Sequence, residues 1–182
     1  MKVFIDAGAY DGDTVKQFFN WGFMIGNPKS FKVYAFEPNP NMKKQLEDIA
    51  SQHTNVTYVP KAVWVEDTEI EFAVDTTPTP LGSTVMPGKV NIWEHFGKVT
   101  VEAIDFSEWL KQFKNDEVTI KMDIEGAEFP VLEKMITDGT IFIPKRLMVE
   151  FHPNKVREYT TTYKNELVEK IQKMGVPLVE WH

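Results

Sequence analysis

The chain contains no cysteine. That excludes disulfides, thiolate nucleophiles and cysteine–zinc centres, and it fits a cytoplasmic protein. Long apolar runs are also missing, so no membrane span is expected. Asp6 interrupts the N-terminal apolar stretch and no cleavage-site pattern follows, so that stretch is not a signal peptide. Excess positive charge is lacking too. Lys and Arg number 20 against 27 Asp and Glu, the net charge is −7, and the basic residues are scattered. Such a surface repels phosphate backbones, so nucleic acid is not an expected partner. No repeat, low-complexity tract or linker divides the chain, and its 182 residues read as one domain spanning 1–182 with a sizeable core.

What is present alternates. Short apolar runs at Val3–Ala7, Lys32–Phe36, Val56–Pro60, Val118–Met122, Leu147–Phe151 and Pro177–Trp181 are separated by segments with helical spacing. This is the pattern of βαβ units and a mostly parallel sheet flanked by helices. Ala62–Trp64 continues the apolar pattern of the third run. Thr68–Val74 and Lys98–Ile104 instead alternate polar and apolar residues, which predicts an antiparallel pair inserted between the third and fourth core strands. Between them, Thr76–Gly97 is a long loop, and long loops in compact domains are usually functional. Leu81, Val85, Met86, Ile92, Trp93 and Phe96 in this loop suit packing on a ligand or covering the antiparallel pair equally well.

In an open parallel sheet, ligands bind beyond the carboxyl ends of the strands. The first end delivers Asp6-Ala7-Gly8-Ala9-Tyr10-Asp11-Gly12, which is not the Gly-x-Gly-x-x-Gly fingerprint of dinucleotide folds. A carboxylate at its first position repels a pyrophosphate but suits a ligand bearing an ammonium and a sulfonium. Gly8 lets backbone approach a ligand closely, and Gly12 tolerates unusual dihedrals. The same residues also suit a plain strand–turn–helix junction with a capping aspartate. The second end delivers Glu37, about 25 residues after Gly12, near the spacing at which an acidic residue accepts hydrogen bonds from ribose hydroxyls. The third gives Lys61 and Ala62, the fourth Asp123, Glu125 and Gly126, and the fifth Glu150 and His152. Acidic groups thus gather at one edge of the sheet.

These segments, in this order, resemble the FkbM family of S-adenosylmethionine-dependent methyltransferases. The resemblance rests on Phe4–Gly12, Ala35-Phe36-Glu37-Pro38-Asn39-Pro40, Lys61-Ala62-Val63-Trp64, Gly82-Ser83-Thr84, Val101–Asp105, Lys121-Met122-Asp123-Ile124-Glu125-Gly126-Ala127-Glu128 and Val149–Pro153. It implies a Rossmann-like class I methyltransferase fold, S-adenosylmethionine as cofactor, and O-methylation of a sugar, glycan or other small metabolite. By that similarity Asp6 and Gly8 would hold the methionine end and Glu37 the ribose. Ala62 would lie near the adenine, with Ala9, Tyr10, Gly12 and Pro38 in the same cofactor site. Lys61 stands where many methyltransferases of this fold have an acidic residue, so adenine recognition is expected to use backbone groups.

Asp123 and Glu125 would lie beside the methyl group. Either could act as base, and Asp123 could instead bind the cofactor's ammonium or the acceptor hydroxyl. Near a helix N-terminus, Glu125 and Glu128 are also favourable for the helix alone. Two other candidate bases are His152, whose imidazole titrates near neutrality, and Lys121, whose pKa burial would lower. Ser83, Thr84 and Glu150 are expected substrate contacts. A metal-free site ranks above a divalent-metal one, because no metal-ligand spacing stands out. Two other readings stand beside methyl transfer: a catalytically silent S-adenosylmethionine-binding module acting with a partner protein, and a nicotinamide oxidoreductase. The chain starts at the first strand and ends at the sixth, so the seventh strand of this fold is expected to be missing, and the edge either stays open, is covered by a second subunit in a homodimer, or accepts a strand from elsewhere.

Overall fold

Val3, Phe4 and Ile5 are all fully shielded from solvent, as a strand must be when it is covered on both faces. The structure is a computed structural model describing residues 1–21, 26–75, 83–86 and 96–181. Within them the chain runs β1 (Lys2–Ala7), α1 (Asp13–Trp21), β2 (Phe31–Phe36), α2 (Lys43–Gln52), β3 (Val56–Val59), β4 (Ala62–Trp64), β5 (Thr68–Asp75), β6 (Phe96–Asp105), α3 (Phe106–Leu110), β7 (Glu117–Met122), α4 (Glu128–Thr137), β8 (Pro144–Val149), α5 (Thr161–Lys173) and β9 (Leu178–Glu180). Six strands form one sheet in the order β3-β2-β1-β7-β8-β9, and every pairing in it is parallel. This is the parallel sheet expected from the alternating pattern, in the Rossmann-like arrangement that the resemblance implied. Among the described residues no helix is long and apolar enough to cross a membrane.

The period-two alternation of the strands sorts two cores. Val3, Ile5, Ile120 and Leu147 pack with Phe106, Leu110, Leu132 and Ile171 of α3, α4 and α5. Phe4, Val33, Ala35 and Met148 face the other way, onto Val15 and Phe18 of α1 and Leu46 and Ile49 of α2. The stacked rings of Phe4 and Phe18, 4.4 Å apart, anchor α1 on β1.

Two details differ from the reading of the sequence. Ala62–Trp64 does not extend the third strand. Pro60 has no N–H for a ladder, the Lys61 amide turns back onto the Val59 carbonyl at 2.8 Å, and β4 leaves for a second sheet of order β4-β6-β5. There β5 and β6 are the expected antiparallel pair, while β4 runs parallel to β6. Of the Thr76–Gly97 loop, Ser83–Met86 is described along with Phe96 and Gly97, which begin β6. Thr84 bridges to Ala73 by two backbone bonds of 2.9 and 3.0 Å. Val85 and Met86 are buried against β5 and β6. Leu81, Gly82, Ile92 and Trp93 lie outside the described residues, as does the side chain of Phe96.

Both glycines of the opening motif answer to packing. Gly8 has φ +89°, and a Cβ there would lie 1.8 Å from the Asp123 carbonyl oxygen. Gly12 has φ +81°, and its Cβ would lie 2.3 Å from Ile49 Cδ1. The close approach at Gly8 is therefore strand end to strand end, and not only backbone to ligand. A Cβ at Gly139, also at positive φ (+75°), would meet nothing within 4 Å. Gly139→Ala should cost about 1–2 kcal/mol for its dihedral alone. Gly8→Ala should cost at least 1–3 kcal/mol more from overpacking. Urea denaturation of the two variants checks the difference, and equal losses would contradict the contact.

Candidate functional site

Successive strands leave β1 in opposite directions, β2 and β3 to one side and β7 to β9 on the other. The crevice beyond their carboxyl ends at such a switch point is where this architecture binds ligands. Backbone bonds tie the strand ends together there. The Gly8 and Ala9 amides both donate to the Phe36 carbonyl, the Asp123 amide to Ala7, and the Glu150 amide to Met122, at 2.9–3.1 Å. A cavity of about 150 Å³ opens at this point, and Gly8, Tyr10, Glu37, Pro38, Ala62, Ser83, Asp123 and Glu125 are in its wall with apolar Phe72 and Val85. The sequence-predicted residues among these come from five separate segments of the chain.

Asp6 is placed differently from expectation. It is fully shielded and not in the cavity wall. The parallel register sets Asp6 directly opposite Lys121, and the two side chains share a face. Lys121 Nζ lies 3.3 Å from Asp6 Oδ1 and 3.3 Å from Asp123 Oδ2, and donates to the Gly8 carbonyl at 2.9 Å. The contact with Asp6 is an ion pair without hydrogen-bond alignment, so both Asp6 oxygens lack a hydrogen-bond partner. Burial raises the Asp6 pKa to about 6, with Lys121 opposing it. Lys121 is a correction to the sequence reading, which expected a lowered pKa and a proton acceptor. Burial does pull its pKa down, but the Asp6 and Asp123 carboxylates outweigh that and hold it above its ordinary value. A lysine held protonated has no lone pair to take a proton, so Lys121 is a charge partner.

Glu37 is 6% exposed at the end of β2. Its Oε2 accepts from the Tyr10 amide and its Oε1 from the Asn39 amide, both at 2.8 Å. Burial raises its pKa to about 7 against the pull of these two amides. Tyr10 reaches it with φ +47°, and Glu125 across the cavity has φ +58°. Two non-glycine residues in the left-handed region thus line one cavity, and such strain gathers at functional sites.

Beyond Asp123 stands an acidic cage around His152. Its Nδ1 is 3.0 Å from Glu128 Oε1, and its Nε2 is 3.7 Å from Asp123 Oδ1, 3.7 Å from Glu125 Oε1 and 3.8 Å from Glu150 Oε1. Burial lowers its pKa, but the hydrogen bond and charge of Glu128, with Glu125 adding, bring it above the ordinary histidine value. Lys155 pairs with Glu125 Oε2. Asp123, Glu128 and His152 each bring one atom within 4.8 Å of the others, close enough to hold a divalent cation. However, Glu128 is already engaged by His152 and by the amides of Ile124 and Gly126.

Several expected contacts fall elsewhere. Ala9 is buried in the α1–α2 core and Gly12 packs on Ile49 and Leu46, so neither lines the cavity. Ser83 lines it. Thr84 is buried and uses its hydroxyl on the Glu125 carbonyl and the Met86 amide, which makes it a clamp on the wall. Glu128 and Lys155 were not singled out from the sequence as site residues. Glu128 reads there as an ordinary helix N-terminal acid, and Lys155 as one more solvated lysine.

Removing the cation from the buried pair should be costly. Lys121→Met is expected to lose about 3–5 kcal/mol at pH 8, because it strands an ionised Asp6. Asp6→Asn in the same background should recover much of that. The folded pKa of Asp6 stands above its unfolded value, so the folded state keeps that proton until the pH passes about 6. The penalty of Lys121→Met should therefore shrink at pH 5. Chemical denaturation at the two pH values reads both effects, and an unchanged penalty would refute the pairing.

The family described as the methyltransferase FkbM domain matches residues 6–175. The crystal structure of methyltransferase FkbM from Methylobacillus flagellatus KT superposes with a TM-score of 0.56 at 17% identity, covering 94% of this chain and 37% of that one. This chain therefore spans well under half the length of that solved relative, and at such identity the likeness is one of fold. No curated protein matches the sequence. With a match running from the end of β1 to the close of α5, the chain belongs to the FkbM methyltransferase domain family.

Proposed function

We propose that this domain binds S-adenosylmethionine in the cavity at the β1–β7 crossing and transfers its methyl group to a hydroxyl of a sugar, glycan or other small metabolite. The observation that carries the reading is Glu37, a buried carboxylate in the cavity wall. Each of its oxygens is anchored by one backbone amide and keeps lone pairs for a further donor. That is the preorganised acceptor a ribose diol requires. Ala62 leaves room for a flat base, with Tyr10 and Phe72 in the same wall. Asp123 and Glu125 make the other end acidic, which suits an ammonium and a sulfonium.

S-adenosylmethionine, when bound, would supply an activated methyl group, whose carbon takes the acceptor oxygen's electron pair as the carbon–sulfur bond breaks and its electrons stay on sulfur as a neutral thioether. The protein then has to orient the acceptor and take its proton. His152 is not itself in the cavity wall, but its Nε2 lies 3.7 Å from Asp123 and Glu125, which are, and that proximity supports His152 as the group that accepts the proton. In this reading Asp123, in the cavity wall, orients the acceptor hydroxyl, with Glu150 near His152 behind it. The resulting imidazolium is stabilised by the surrounding carboxylates until it releases the proton to solvent.

Calorimetry with S-adenosylhomocysteine tests the cofactor site without an acceptor. Glu37→Ala should weaken binding by about 10- to 100-fold, the worth of hydrogen bonds to a charged group. Only the ionised carboxylate accepts from both hydroxyls, so affinity should rise as pH climbs through about 7. A flat profile, or unchanged affinity in the variant, would remove Glu37 from the site. Methyl incorporation across a panel of hydroxylated metabolites and glycans tests the transfer. The rate should increase with pH above the ordinary histidine range, since His152 must be neutral to act, and His152→Ala should abolish that dependence. Tight binding with no incorporation into any acceptor would favour a silent module that works with a partner.

A further inference from the structure

Glu128, the first residue of α4, is fully shielded from solvent. A glutamate wanted only for the charge of a helix N-terminus gains its effect while exposed. Burial of a carboxylate is tolerated when its oxygens are satisfied. Here Oε1 accepts from the Ile124 amide at 2.8 Å and Oε2 from the Gly126 amide at 2.9 Å. Those bonds pin the carboxylate and leave Oε1 capacity for one more donor, which is His152 Nδ1 at 3.0 Å. An acceptor fixed on one ring nitrogen decides the tautomer, because a neutral imidazole carries its single proton on the nitrogen that has the acceptor.

The other nitrogen, Nε2, has three carboxylate oxygens around it at 3.7–3.8 Å, beyond hydrogen-bonding distance. Two of their residues, Asp123 and Glu125, line the cavity. We propose that Glu128 is the positioning residue of this site, holding His152 with Nδ1 protonated so that Nε2 presents its lone pair to the acceptor hydroxyl. This rests on the methyl-transfer reading. In the transfer the acceptor O–H proton goes to Nε2, the oxygen takes the methyl group, and the positive charge passes from the sulfonium to the imidazolium beside Glu128. The charged groups facing His152 are Asp123, Glu125, Glu128, Glu150 and, with opposite sign, Lys155. Glu128 alone among these carboxylates contacts Nδ1.

The test is imidazole 15N NMR on the full chain, with His152 assigned by the loss of its signals in His152→Gln. In the unsubstituted protein, above the His152 titration, the Nδ1–H tautomer is expected to dominate. In Glu128→Gln the new amide can donate to Nδ1, so the Nε2–H tautomer should take over and the titration should move to lower pH. A purely structural role for Glu128, as staple of the Ile124–Gly126 turn, would leave the tautomer unmoved in a folded variant and would overturn the proposal. So would an Nε2–H tautomer in the unsubstituted protein, a measurement that stands even if Glu128→Gln fails to fold. Selective broadening of the His152 signals by low Mn²⁺ would overturn it too, since Nε2 would then serve a cation. Calorimetry with S-adenosylhomocysteine on the same sample separates the two readings. Absent binding with the Nδ1–H tautomer sinks methyl transfer and not the Glu128–His152 geometry, whereas intact binding with the wrong tautomer sinks only the role of Glu128.

Discussion

The site depends on one buried cation. Lys121, on one of the two strands that flank the switch point, sits between Asp6 on the other and Asp123 just beyond its own, and it also holds the Gly8 carbonyl. A buried ion pair is weak evidence for stability, since desolvation offsets much of the attraction. Its value here is positional. One ammonium fixes the end of β1, the turn after it and the first residue beyond β7, and these make up one side of the cavity. A hydrophobic pair at the same register would pack the sheet equally well but would leave Asp123 and the Gly8 carbonyl unheld.

Much of this was legible from residue order. Acidic residues at successive strand ends located the crevice, because a parallel sheet puts all its carboxyl ends on one edge. Glu37 was legible for the same reason, and its two amide contacts come from Tyr10 within the opening motif and from Asn39 after Pro38. The path of the chain after Pro60 was not. Ala62–Trp64 has the apolar character of a core strand, and only pairing with β6, about 40 residues later, distinguishes the sheets.

Lys121 was misread because a lysine in an apolar strand looks desolvated, and desolvation alone would lower its pKa. Its register partner Asp6 reverses the sign, and register belongs to the folded sheet. The anchoring roles of Thr84 and Glu128 were hidden for a related reason. Both make their defining bonds to atoms far away or in turns, namely the Glu125 carbonyl and the Ile124 and Gly126 amides.

Those bonds converge on the Asp123–Gly126 turn. Lys121 holds Asp123, Glu128 takes the amides of Ile124 and Gly126, Thr84 takes the Glu125 carbonyl, and Lys155 takes the Glu125 carboxylate. Glu125 is kept in the left-handed region, which costs a side-chain-bearing residue about 1–2 kcal/mol. So many anchors on four residues over-determine a conformation that the chain would otherwise abandon. The strain turns one carboxylate toward His152 while its carbonyl is tied to the second sheet. Cavity wall, histidine cage and second sheet are therefore mechanically one unit.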